Sequence, residues 1–167
     1  MKKNDELNLE VGDLVVYPIY GVGEIENFDS YNIDGSLQDF ILINFKQDKM
    51  KLRIPKDKAS NSGLRKLSNK NRLSKALDVL AENPSIKKEM WIKRAKEYEK
   101  NINSGDPVLI AEVVRDLHKK EDSLEQQSYS ERQIYLTALN RLSNEYAAVQ
   151  NLEKKAAKSK LEELLNQ

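Results

Sequence analysis

Between Pro55 and Leu73 the apolar residues of this chain change their period, and that switch limits the folds open to it. Before it, apolar residues come in short runs bounded by turn residues. After it, they recur at three- and four-residue intervals, as on the buried stripe of a helix. The N-terminal runs are VGDLVVYP, GEIENFDSY, DFILINF and Met50 to Ile54. Val15, Val16 and Tyr17 follow a Gly12-Asp13 turn, Pro18 ends that run, and Gly21-Val22-Gly23 opens the next. Asp34-Gly35 is a hairpin signal, Asp48-Lys49 marks a further turn, and Pro55 stops the last strand. Short strands joined by tight turns predict a small, strongly bent antiparallel barrel of SH3 or Tudor type. The expected class is therefore α+β, with this barrel followed by an all-α domain.

The expected domains are a flexible polar N-terminus at 1–10, the barrel at 11–60, a linker at 61–69 containing Ser62-Gly63, and a helical domain at 70–167. Leu73, Leu77 and Leu80 form the first helical stripe, which Asn83-Pro84 ends. A second helix is expected straight after Pro84, placing Ile86, Met90 and Trp91 along one side, with Arg94, Ala95 and Tyr98 following. Ser104-Gly105-Asp106-Pro107 is a sharp boundary: Gly105 suits a left-handed C-cap, Asp106 an N-cap and Pro107 the first helical position. Val108, Ile110, Ala111, Val113, Val114 and Leu117 predict a well-buried third helix. Glu121 to Gln127 reads as a linker, and Ser128 or Ser130 can cap a fourth helix that turns Ile134, Leu136, Leu139, Leu142 and Tyr146 to the core. Leu161, Leu164 and Leu165 mark a last helix.

Composition removes several classes of chemistry. Cysteine is absent, which excludes disulfides and thiolate catalysis together. The single histidine, His118, has no second histidine to complete a metal or catalytic set, and it reads as a solvated helix residue. No Gly-rich phosphate loop, paired helix histidines or nucleophile elbow occurs, and the carboxylates are scattered at surface spacing. Small barrels of this kind have no large cavity and serve as binding modules, with edge strands open to pairing. No enzyme activity, cofactor, metal or small-molecule substrate is expected. No apolar run approaches membrane-spanning length, and the start lacks a signal-peptide core, so a cytoplasmic location without membrane contact is expected. The chain is also expected to be a monomer.

Net charge is only +1, but it is unevenly placed: residues 65–100 hold 11 Lys and Arg against 5 Asp and Glu. Within that block lies Trp91, the one tryptophan, among Lys87, Lys88, Lys93, Arg94, Lys96 and Lys100. A flat apolar side chain set among cations can present a wedge to a polyanion, and an amphipathic helix can equally bury such a ring. In the strand Met50 to Ile54, Arg53 points outward if Leu52 and Ile54 point in. It can face a partner or simply be solvated.

Taken in order, VGDLVVYPIYGVGEI, the DFILINF and KLRIP strands, the helix with its tryptophan and SGDPVLIAEVVRDLHKKE resemble the CarD family of bacterial transcription regulators. The resemblance spans roughly Val11 to Tyr146. The first part is also similar to the RNA-polymerase-interacting domain of transcription-repair coupling factor, although no helicase motif follows here. What the resemblance implies is a Tudor-like domain that docks on the RNA polymerase β subunit, with Arg53, Tyr31, Ile33 and Leu52 in the contact. It further implies a helical domain that meets promoter DNA at the upstream edge of the bubble and stabilises the open complex. There Trp91 matches a tryptophan that wedges into the minor groove, Lys93 and Arg94 match phosphate-contacting positions, and Lys87 and Lys88 extend the DNA-binding surface. The chain departs from the family pattern in three places. Tyr20 replaces a histidine, which is expected to alter packing alone; Tyr31 stands where some members have a basic contact; and Ala95 replaces a basic residue after the tryptophan. The competing reading is a protein-only adaptor, in which the helices bind another protein and the indole is fully buried.

Overall fold

The computed structural model describes residues 7–119 and 121–167. The chain forms two compact units, divided between Leu67 and Ser68. The first is a five-stranded antiparallel sheet of β1 (Leu14–Tyr17), β2 (Gly21–Ile33), β3 (Ser36–Phe45), β4 (Met50–Pro55) and β5 (Arg65–Lys66). Their order across the sheet is β4-β3-β2-β1-β5. Asp34 and Gly35 both have positive φ, 52° and 83°, so the two-residue turn between β2 and β3 follows the right-handed twist of its strands. Between Ile25 and Asn27 the register shifts by a bulge, which bends β2.

Alternation then decides what is inside. Val15, Ile25, Ile41, Ile43, Phe45 and Ile54 face one side and form the core with Ala59 and Leu64. Gly23 lies beneath this layer, and a Cβ there would stand 2.6 Å from Ile43 Cγ2 and 2.8 Å from Phe45 Cε1. Its role is thus steric, leaving room for two core side chains. Tyr20 stacks on Tyr17 with centroids 5.7 Å apart and meets Phe45 at 5.6 Å, so this one of the three departures from the family pattern packs against aromatic neighbours.

Two sequence expectations need correction. Residues 1–6 lie outside the described residues, but Leu7 and Leu9 pack against the sheet core, and the Glu10 N–H donates to the Asp13 carboxylate at 2.8 Å. The supposed linker at 61–69 holds buried Leu64 and the strand β5, paired with Val15 and Val16 of β1. Polar composition concealed it because a two-residue edge strand needs only backbone partners, not an apolar pattern.

The second unit contains α1 (Lys70–Leu80), α2 (Trp91–Asn103), α3 (Pro107–Leu117), α4 (Tyr129–Gln150) and α5 (Lys154–Leu165). A short 3-10 turn, Glu121–Gln126, occupies the stretch read as a linker. The apolar α3 packs against α1, α2 and α4, with Ile110, Ala111, Val113, Val114 and Leu117 buried. Asp106 caps α3, accepting from the Val108 N–H at 2.9 Å, and pairs with Arg72 of α1. Ser128 caps α4. Leu136 is only partly buried, whereas Ile134, Leu139, Leu142 and Tyr146 lie in the core.

His118 is no solvated helix residue. It terminates α3, with Nδ1 2.9 Å from the Tyr135 hydroxyl and Nε2 3.0 Å from Asn166 Oδ1. Burial pushes the Tyr135 hydroxyl up to about 12, so it stays protonated beside the imidazole well above neutral pH. A spacing argument could not find these partners, which come from α4 and the residue after α5.

Gly23→Ala is expected to destabilise the sheet unit by about 1–3 kcal/mol through overpacking against Ile43 and Phe45. Urea unfolding followed by the β-sheet circular dichroism signal measures this; an unchanged midpoint would show that the layer can yield.

Candidate functional site

Helix α2 does not begin where a proline-started helix would. Residues 81–90 form an irregular segment, and Trp91 is the first helical residue, with Met90 as an N-cap that makes no side-chain capping bond. Asp116, buried, accepts from the Ser85 N–H at 2.9 Å and from Arg115 Nε at 2.8 Å on one oxygen. Arg115 Nη1 also donates to Glu82 Oε2 at 3.0 Å. The Ser85 N–H is thereby tied to α3, which anchors the segment between α1 and α2 to the helical unit. Ile86 and Met90, expected on a buried stripe with Trp91, are exposed.

From Trp91 onward the helical period is regular. Trp91, Ala95, Tyr98 and Ile102 share the face that packs on the helical core. Trp91 is half-buried on that face, its ring 6.3 Å from Tyr98 and tilted by 49°. Arg94 lies over both rings, 5.5 Å from the Trp91 centroid and 5.7 Å from that of Tyr98, and donates to the Tyr98 hydroxyl at 3.3 Å. Its Nε is buried. Arg94, matched to a phosphate contact by the resemblance, is therefore engaged with aromatic faces, and the lysines are the outward cations.

Lys87, Lys88 and Lys93 are all exposed. Lys87 pairs with Glu97 at 2.9 Å; their hydrogen bond and mutual charge hold the ammonium above its ordinary range and the carboxyl below its own. Lys93 sits 3.4 Å from Glu89, one turn back, and Lys88 forms no ion pair among the described residues. Exposed pairs of this kind contribute little and exchange readily for a stronger anion.

In the sheet unit, cross-strand pairing places Asp29, Tyr31 and Ile33 of β2, Phe40 and Leu42 of β3 and Arg53 of β4 on the outer face. Arg53 donates to Asp29 Oδ2 from Nη2 at 3.1 Å and from Nε at 3.3 Å, and its guanidinium lies 5.1 Å from the Tyr31 ring centroid. Tyr31 meets Phe40 edge-on at 5.7 Å. Tyr31 and Ile33 are exposed. Leu52 does not join them: it alternates to the inner face, half-buried against the core. The edges of the sheet are β4 and the shorter β5.

The sheet unit thus carries an aromatic and cationic outer face, and the helical unit a lysine-rimmed helix start. Among the described residues no group of three or more His, Asp or Glu side chains could hold a metal ion, and no helix is long and apolar enough to cross a membrane. The class so defined is a two-module interaction protein. Comparison with known proteins narrows it: residues 9–68 match the CarD-like/TRCF RID domain and residues 75–162 the CarD C-terminal domain, so the chain belongs to the CarD family. Its role is transcription-related and involves interaction with RNA polymerase. A Bacillus subtilis (strain 168) protein described as putative transcription factor YdeB is 28% identical over 152 residues, covering 90% of this chain and 97% of its own. The solution structure of the 72-residue N-terminal domain of Myxococcus xanthus CarD is 33% identical, covering 35% of this chain and 77% of its own, with a TM-score of 0.31.

Arg94→Ala is expected to uncover the single indole, shifting its fluorescence to the red and raising its quenching by acrylamide, with about 1 kcal/mol lost from the helical unit. Arg94→Lys keeps the charge without the planar stack and is expected to resemble Ala. An unshifted emission in both variants would show that the guanidinium does not shield the ring.

Proposed function

We propose that this protein is a non-enzymatic regulator of transcription that binds the RNA polymerase β subunit through its sheet unit and promoter DNA through its helical unit. In this reading Tyr31, Ile33 and Arg53 form the docking face, assisted by the β4 edge, and Leu52 supports it from within. The start of α2 reaches the upstream edge of the transcription bubble. There Trp91 enters the distorted minor groove, Lys87, Lys88 and Lys93 lie against phosphates, and Arg94 holds the ring. The protein acts as a cytoplasmic monomer and needs no cofactor.

The observation that carries this reading is the indole left partly open to water at the first turn of a helix whose outward side chains include lysines. A fully buried ring would have favoured the protein-only adaptor. The energetics are consistent: unstacking a base step costs a few kcal/mol, and a wedge seated in an already opened junction raises the barrier to reclosing without meeting the whole of that cost. Lysines at the rim add a salt-dependent, sequence-independent attraction, while docking on polymerase supplies the location.

With purified polymerase, Trp91→Ala is expected to leave polymerase binding intact and shorten open-complex lifetime roughly tenfold, equivalent to about 1.4 kcal/mol. Lifetimes equal to those with the unaltered protein would sink the wedge. Arg53→Glu is expected to weaken polymerase binding roughly tenfold or more by reversing a charge on the docking face. Undiminished capture of polymerase by that variant would remove Arg53 from the interface.

A further inference from the structure

Between α2 and α3 the helical unit holds a small polar cleft, lined from α2 by Arg94, Tyr98 and Asn101, from α3 by Glu112 and Asp116, and from the segment before α2 by Ser85. Arg94, Tyr98 and Asn101 follow one another at intervals of four and three residues, so they line one side of α2. The cleft has a volume of about 240 Å³, below the roughly 300–1,000 Å³ of sites for drug-sized molecules. Most of the charge around it is already matched: Lys87 pairs with Glu97, and Arg115 with Asp116 and Glu82. One group of each sign is left over. Arg94 and Glu112 form no ion pair among the described residues, and Arg94 Nε is buried without a hydrogen-bond acceptor there. The half-buried Asn101 amide makes no hydrogen bond among those residues either. The Tyr98 hydroxyl, on a residue only 8% exposed, accepts from Arg94 and donates to none of them.

Polar groups turned away from water are normally hydrogen-bonded, and where several converge unbonded on one cleft, a ligand that bonds them accounts for all at once. We infer that this cleft binds a small zwitterion of amino-acid size, its carboxylate accepting from Arg94 Nε and the Tyr98 hydroxyl and its ammonium donating to Glu112 and the Asn101 carbonyl oxygen. A simple anion would leave Glu112 unpaired beside it, and a simple cation would meet the Arg94 guanidinium. One molecule carrying both charges avoids both penalties and makes a charge-assisted hydrogen bond at each end. Arg94 also lies over the Trp91 ring, 5.5 Å from its centroid, so an occupant that holds the guanidinium by its edge also fixes the cover of the indole. Occupancy of the cleft is thereby coupled to the ring, whatever the ring goes on to contact.

The test uses the full chain and free amino acids as probes: the common L-amino acids, with β-alanine and 4-aminobutyrate for longer charge separations. Each is titrated to about 10 mM, followed by calorimetry and by the emission of the single tryptophan. At least one should bind saturably with a matching change in Trp91 emission, and acetate and methylammonium at the same concentrations should not. Glu112→Gln keeps the size of a half-buried side chain and should weaken that binding roughly tenfold or more by removing the charged partner of the ammonium. Glu99→Gln, which removes the same charge from an exposed position of α2, should leave it unchanged. Lack of saturable heat from every probe would overturn the inference, as would an equal response to acetate or methylammonium or heat without a change in emission. Undiminished binding by Glu112→Gln, or an equal loss in Glu99→Gln, would overturn it as well. None of these outcomes bears on polymerase or DNA binding, which have their own measurements.

Discussion

A single oxygen of Asp116 accepts the Ser85 N–H at 2.9 Å and Arg115 Nε at 2.8 Å, in a part of α3 closed to water. A buried carboxylate must be compensated where it stands, and here a guanidinium and a backbone donor from the segment after α1 meet it. Ser85 is so tied to α3, while α2 opens at Trp91 and Ile86 and Met90 stay exposed. The segment that leads into α2 is anchored by a carboxylate of another helix.

The sheet unit applies the same economy with a different period. Strand alternation sends Ile41, Ile43, Leu52 and Ile54 inward, and the same alternation lines up Asp29, Tyr31, Phe40 and Arg53 outside. The outer face is ordered rather than loose. Arg53 is held by two hydrogen bonds to Asp29 and lies over Tyr31, which in turn meets Phe40. A tyrosine where relatives by resemblance carry a basic group thus steadies the arginine beside it. Long charged side chains lose rotamer freedom on binding, and part of that loss is already taken in the folded protein.

Much of this architecture was legible from spacing. The Asp34-Gly35 turn, the strands either side of it, the Asp106 cap with Pro107 behind it and the buried α3 all follow from local backbone preferences. Errors fell where a partner from elsewhere in the chain overrides those preferences. Ser85 lies near Asp116 in space but 31 residues away in sequence; β5 exists through the backbone of β1; His118 is held from α4 and the chain end. Arg94 matched a phosphate-contacting position by resemblance, and its stacking on two rings has no signal in the sequence.

By itself, the order of residues determined an antiparallel sheet followed by helices, the place of each strong turn and cap, and a cationic block around one tryptophan. Those are properties of neighbours, set by φ preferences, period and charge within a few residues. Which of the apolar and cationic side chains in that block meet water was decided only by the tertiary structure. The segment before α2 is anchored by a hydrogen bond between distant segments and the indole is covered by the stacking of one guanidinium, and neither has a period to read.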